Sequence, residues 1–209
     1  MTSLWTLEIG WPDAAVSLLI GYLLGSIPFG LLLSLAFGAG DVRKIGSGSI
    51  GATNVLRTGN YAAAALTLLF DALKGVAAVL VVRHYFGDDA ALFAGLGAFL
   101  GHLFPVWLRF KGGKGIAVSL GILLAIYCPV ALIAFASLGV VLAVSRISSL
   151  SALVAAVLTP IYMILFHRMH ETGLAVLLAV LVFIAHRENI RRLLAGTEPK
   201  VGGKSAAAS

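Results

Sequence analysis

Apolar and polar positions fall in long blocks along this chain, not in the short periods of a soluble fold. Seven blocks are apolar almost throughout: about 14–37, 61–82, 91–108, 116–128, 129–144, 151–166 and 173–185. A membrane-crossing helix needs roughly 20 such residues. In lipid, a lone segment satisfies its backbone polar groups only as a helix. The pattern predicts an all-α integral membrane protein, a bundle of about seven transmembrane helices. The fourth and fifth blocks are short and meet at Cys128–Pro129. Proline removes a helix hydrogen bond and restricts the residue before it. This stretch reads either as two short spans with a tight turn or as one kinked element.

The polar blocks set the orientation. With the N-terminus outside, the inner segments are 38–60, 109–115, 145–150 and 186 to the end. They hold three, three, one and five Lys/Arg, twelve of the fifteen in the chain. Cytoplasmic loops carry such an excess, so the C-terminus is expected to be cytoplasmic. Glu8, Asp13, Asp88, Asp89 and Glu171 fall outside. The first block lacks the basic leader of a signal peptide and is expected to be retained. Residues 1–198 read as one polytopic domain. The small, polar stretch 199–209 reads as a disordered cytoplasmic tail.

Composition agrees: 60% of residues are hydrophobic, 11% are charged and the mean hydropathy is +1.02. Soluble domains average roughly 45–50% apolar and about 25% charged. The net charge of +6 follows the inner loops; it reflects topology and anionic ligands, and no nucleic-acid partner is expected. The lone Cys128 forms no intrachain disulfide and builds no cysteine metal site. Ser17, Gly21 and Gly25, and again Gly97 and Gly101, recur every four residues, a spacing that lets membrane helices approach closely.

Candidate chemistry lies in the inner segments. "KIGSGSIGATNVLRTGN" concentrates Gly46, Gly48 and Gly51, which favour tight turns, with Ser47, Ser49, Thr53 and Asn54. Arg57 adds a planar cationic fork suited to phosphate. In "FKGGKGIA", Gly112, Gly113 and Gly115 flank Lys114 just before an apolar block. Backbone amides, an ammonium and a helix N-terminus would converge there on an anion. It is not a nucleotide P-loop, because Gly115 and not Ser or Thr follows the lysine. "SRISSLS" offers Arg146 and Ser149. "HRENIRR" places His186 and Asn189 on one helical face; Arg192 reads as a lipid-facing charge. Asp71 and Lys74 share a face inside the second block, where charges are usually paired or functional. They form a possible floor to the site, and His102 ends the third block's glycine stripe. No metal or other cofactor is expected. A ligand with phosphate at one end and an acyl chain at the other suits these features. A small organophosphate transporter and a non-catalytic lipid-phosphate binder are the rival readings.

"GSGSIGATNVLR", "GHLFPVWLRFKGGKGIA" and "HRENIRRLLAGTEPK" resemble the three signature segments of the bacterial acyl-phosphate:glycerol-3-phosphate acyltransferase (PlsY) family. "LFDALKG" and "SRISSLSA" are similar to its lesser motifs. Ser49 stands where that family usually has asparagine. The resemblance implies acyl transfer from acyl phosphate to the 1-hydroxyl of sn-glycerol 3-phosphate, giving lysophosphatidic acid and inorganic phosphate. This would be the first step of phospholipid synthesis, at the cytoplasmic face of the bacterial inner membrane. Membrane lipid is the surrounding partner, and no obligate protein partner is implied. On this reading Ser47, Arg57 and Lys114, with the loop amides, bind phosphate and favour its departure. His186 and Asn189 orient glycerol phosphate, and Arg146 and Ser149 assist with a phosphate group. Either His186 or the departing phosphate takes the hydroxyl proton.

Overall fold

A computed structural model describes residues 8–202, and every regular element among them is helical. A helix stands on each apolar block: α1 (Trp11–Gly25) with α2 (Phe29–Ala36), α4 (Tyr61–Phe86), α5 (Asp88–Leu103), α6 (Ile116–Ile126), α7 (Cys128–Ser145), α8 (Ser148–Leu165) and α9 (Met169–Ala185). Short α3 (Ala52–Leu56) lies in the first polar segment and α10 (Arg187–Leu194) follows α9. Five spans are long and apolar enough to cross a membrane, with α1 and α2 counted as one. α9 passes the same test only when joined to α10, from which it is bent by 64°, so the count is five or six. α6, with 11 residues, is shorter than a full crossing. The first block is not one straight helix. Pro28 lacks an amide hydrogen, and the chain breaks between Gly25 and Phe29.

The path of 116–144 is resolved. The chain reverses at Tyr127, which adopts an extended conformation (φ −154°, ψ 93°). Lys114, just before α6, and Arg146, just after α7, both reach the polar cluster around residues 189–201. The two helices therefore run antiparallel. Tyr127 lies at the other end, beneath the Arg168 guanidinium and against Phe166. That end also carries the Arg83–Asp88 ion pair at 2.8 Å and His170 on Asp89 at 2.6 Å. The loops assigned to the outside thus gather at one end and the four polar segments at the other.

Small residues hold the bundle together as the four-residue spacing predicts. α1 and α5 pack so closely that a Cβ on Gly21 or Gly25 would land on the Ala94 or Ala98 carbonyl. The reverse holds for Gly97 and Gly101 against Leu18 and Tyr22. The same device joins α4 to α6, where Gly121 lies on Ala72 and Gly75 on Val118. With lipid as apolar as a leucine side chain, such close backbone packing is what remains to drive helix association.

Candidate active site

The first glycine-rich segment is folded around one side chain. Asn54, buried just inside α3, donates through Nδ2 to the Val42, Ile45 and Ser49 carbonyls at 2.9, 3.2 and 2.8 Å. Its Oδ1 accepts from Ser47 N–H at 3.1 Å and from the Arg57 guanidinium at 3.4 Å. The amide is fully used in shaping the loop. Gly46 and Gly48 have φ of 54° and 69°, a region costly for other residues. Gly51 does not: its φ is −76° and a Cβ there would meet only the Ser49 hydroxyl at 3.5 Å. The expected need for glycine at 51 is thereby corrected. Ser49 Oγ accepts from the Gly51 amide at 3.2 Å. Thr53 Oγ1 lies 3.3 Å from Ser148 Oγ, which ties the loop to the start of α8. Ser47 and Gly48 stay exposed at its tip.

The second segment is folded by its glycines, which changes what they are for. Gly112 N–H donates to the Leu103 carbonyl and Gly113 N–H to the His102 carbonyl, each at 3.0 Å. A Cβ at Gly112 would land on the His102 carbonyl, and one at Gly113 on the His102 ring. These two amides are therefore occupied and do not point at an anion, contrary to the expected cradle. They pin the loop to the end of α5 and carry Lys114 inward. Gly115, with φ of 82°, turns the chain into α6. The unbonded first-turn amides of α6 follow immediately.

Lys114 Nζ donates to Asn189 Oδ1 at 2.5 Å. Asn189 and His186 are both buried, on the bend between α9 and α10. His186 Nδ1–H donates to the Val182 carbonyl at 2.8 Å, the neutral tautomer that leaves Nε2 with a lone pair. Burial lowers the Lys114 pKa to about 8; Arg192 and Arg57 push the same way and Glu198 opposes them. Burial likewise holds His186 down, to about 4. Imidazole is thus neutral at pH 7, while Lys114 is mostly an ammonium.

Two participants escaped the sequence reading. Glu198, its side chain only 6% exposed, accepts from Ser149 Oγ at 2.7 Å and Asn189 Nδ2 at 2.5 Å. It also accepts from Arg192 Nε at 2.7 Å. Arg192 therefore turns toward the site, not toward lipid, whereas Arg191 is exposed and pairs with Glu188. The one sequence signal for Glu198 is its place: an acid two residues past a helix-ending glycine, in a basic segment. The expected cytoplasmic tail begins at residue 199. Val201 N–H donates to the Arg146 carbonyl at 2.7 Å, and the Arg146 guanidinium donates back to Val201 O at 3.1 Å. Residues 203–209 of that tail lie outside the described residues. Arg146 itself is exposed and held by this strap.

Asp71, Lys74 and His102 are buried together but not at the Lys114–Asn189 contact. Lys74 Nζ lies 2.8 Å from Asp71 Oδ1 and donates to the Ile27 carbonyl at 2.8 Å. His102 Nδ1 faces the same carboxylate oxygen at 3.6 Å. The cluster touches the site only through the His102 ring beneath Gly113.

Beside the polar cluster runs a narrow apolar cleft between α6, α7, α8 and α9. Ile116, Leu120, Ala155, Leu178 and Val182 are among its walls. Ile116 is two residues from Lys114, and Val182 carries the carbonyl that His186 binds. A cationic, hydrogen-bonding cluster thus stands beside a greasy slot. That combination, in a membrane-embedded bundle, suits an anionic headgroup joined to a hydrocarbon.

Comparison with known proteins agrees. Residues 15–196 match the glycerol-3-phosphate acyltransferase family, and the chain belongs to it. Similar proteins named glycerol-3-phosphate acyltransferase include that of Mesorhizobium japonicum, 60% identical over 90% of this chain and 96% of its own. That of Agrobacterium fabrum is 58% identical over 91% and 93%. The fold matches a crystal structure of PlsY (YgiH), an integral membrane glycerol 3-phosphate acyltransferase, in its glycerol 3-phosphate form. The TM-score is 0.85, with 36% identity, over 90% of this chain and 96% of that one. The lysophosphatidic acid form of the same protein matches with a TM-score of 0.81.

Proposed function

We propose that the chain transfers a fatty acyl group from acyl phosphate to the 1-hydroxyl of glycerol 3-phosphate. The products are lysophosphatidic acid and inorganic phosphate, the reaction serves as the first step of phospholipid synthesis, and the site faces the cytoplasm. The observation that carries this is the cluster of Lys114, Asn189 and His186 standing beside the apolar cleft. Membership of the family and the glycerol 3-phosphate form of the structural relative support the acceptor. The donor rests on chemistry. The cluster holds cations and neutral hydrogen-bonding groups, with one carboxylate already paired. Such a site suits a substrate that brings its own leaving group.

The hydroxyl oxygen of glycerol 3-phosphate attacks the acyl carbonyl carbon. The new C–O ester bond forms, the C–O bond to the phosphate breaks, and the phosphate departs with the electron pair. Lys114, with Arg57 and Ser47 from the first loop, binds the phosphate and stabilises the charge it gathers. Ser149, Arg146 and Asn189 hold the acceptor's phosphate end. His186 Nε2 accepts a hydrogen bond from the attacking hydroxyl and aims it. Burial disfavours protonation of the His186 imidazole, whereas the phosphate that departs with the electron pair is a strong base. The proton therefore passes to the departing phosphate, which leaves as hydrogen phosphate. The test is purified protein given glycerol 3-phosphate with either acyl phosphate or acyl-CoA. Lysophosphatidic acid and phosphate from acyl phosphate alone are expected. Product from acyl-CoA alone rejects the donor, and no product with either rejects the enzyme.

A further inference from the structure

A carboxylate in the middle of an anion site is a paradox, because it repels the substrate. Glu198 is there for a local reason. Gly196, with φ of 69°, ends α10, and Thr197 N–H bonds back to the Arg192 carbonyl at 2.8 Å. This glycine cap turns the chain over its own helix and sets Glu198 on Asn189, Ser149 and Arg192. An asparagine amide has one end that only donates and one that accepts. The Lys114 ammonium can only donate, so Asn189 must offer it the oxygen. The Glu198 carboxylate only accepts, so it holds the NH2 end on the far side.

We propose that Glu198 is a positioning residue of the anion site: its carboxylate locks the Asn189 amide with the oxygen on Lys114 and draws Ser149 and Arg192 into the same cluster. Its charge has a second effect. The groups acting on Lys114 are Glu198 from the C-terminal strap, Arg192 from α10, and Arg57 after α3; neutral His186 lies between α9 and α10. Only Glu198 favours the ammonium against burial and the two guanidinium groups. Its contribution to phosphate binding is thus a formed and charged Lys114.

The kinetic part of the test rests on the acyltransferase reading; the binding part does not. Inorganic phosphate is titrated calorimetrically into the full chain in detergent micelles from pH 6 to 9.5. Wild-type affinity is expected to fall on the alkaline side as Lys114 loses its proton. In E198Q this fall moves down by about one pH unit, and phosphate binds about tenfold more weakly at pH 7.5. KM for glycerol 3-phosphate rises by a similar factor while kcat changes less. A folded E198Q, judged by an unchanged melting curve, with wild-type affinity and wild-type alkaline fall overturns the proposal. If E198Q does not fold, E198D decides. It keeps the charge and shortens the reach, so the fall should stay at the wild-type pH while affinity drops; wild-type affinity in E198D overturns the proposal. Wild-type protein without any alkaline fall also overturns it. Phosphate binding that behaves as expected, without acyl transfer, rejects the acyltransferase reading and leaves Glu198 in its role.

Discussion

At the residue scale the decisive property is how burial sets charge. Lys114 sits near pKa 8 because burial disfavours its ammonium. A lowered lysine pKa means that the proton is lost as pH rises through that value. At pH 9 only about one molecule in eleven keeps it, so KM for the anionic substrate should rise about tenfold between pH 7 and 9. Steady-state kinetics in two-component buffers measures this. Lys114→Ala should flatten that dependence and raise KM at pH 7 by about tenfold or more. His186, near pKa 4, is neutral over the whole working range. If it orients and does not take the proton, His186→Gln lowers kcat by about 10- to 100-fold and leaves the pH–rate profile in place. A lost acidic limb in His186→Gln would instead identify the imidazole as the base. Ser49 bears on the loop through an acceptor, its Oγ, which holds the Gly51 amide. Ser49→Asn, which keeps an acceptor, should retain activity; Ser49→Ala should lose it by about 1 kcal/mol of loop stability. Activity assays on the pair suffice.

At the scale of elements, glycine is a matter of contact more than of turning. Gly112 and Gly113 are required because the carbonyl and ring of His102 occupy the space a side chain would fill. Gly113→Ala should therefore impair acyl phosphate KM by shifting Lys114, and His102→Ala should open the space and recover part of the loss. A double-mutant cycle in KM tests this; strictly additive effects would mean that the contact does not set the loop. The cycle also tests how the intramembrane cluster reaches the site. Asp71 and Lys74 stand one helix away and meet the second loop through His102. Their pairing was visible in the sequence as an i, i+3 spacing, but the histidine completing it was not. It comes from a different helix, and nothing in a linear pattern relates residues 71 and 102. The glycine stripes of α1 and α5 were legible for the opposite reason. Their four-residue period is a property of each helix alone, so the facing surfaces could be read before the partner was known.

At the scale of the whole molecule, charge distribution assigns the two ends. The polar cluster is expected at the cytoplasmic face by the excess of Lys/Arg in its loops. Cys128, the single cysteine, is exposed at the opposite end beside Tyr127. A membrane-impermeant maleimide should thus label the native chain from outside in spheroplasts without permeabilisation. Labelling only after permeabilisation would invert the orientation. Helical class, the positions of the apolar blocks and the glycine-rich segments all follow from the sequence by itself. Each depends on local composition or on a helix period, and lipid leaves no other backbone solution. Tertiary structure alone decided the reversal at Tyr127 and the occupied amides of Gly112 and Gly113. It also turned Arg192 inward and placed Glu198 at the centre of the cluster. These depend on which group finds which partner across 6 to 84 residues of chain, from Glu198–Arg192 to Glu198–Lys114. Hydrogen-bond valence and burial settle that choice only once the helices have packed.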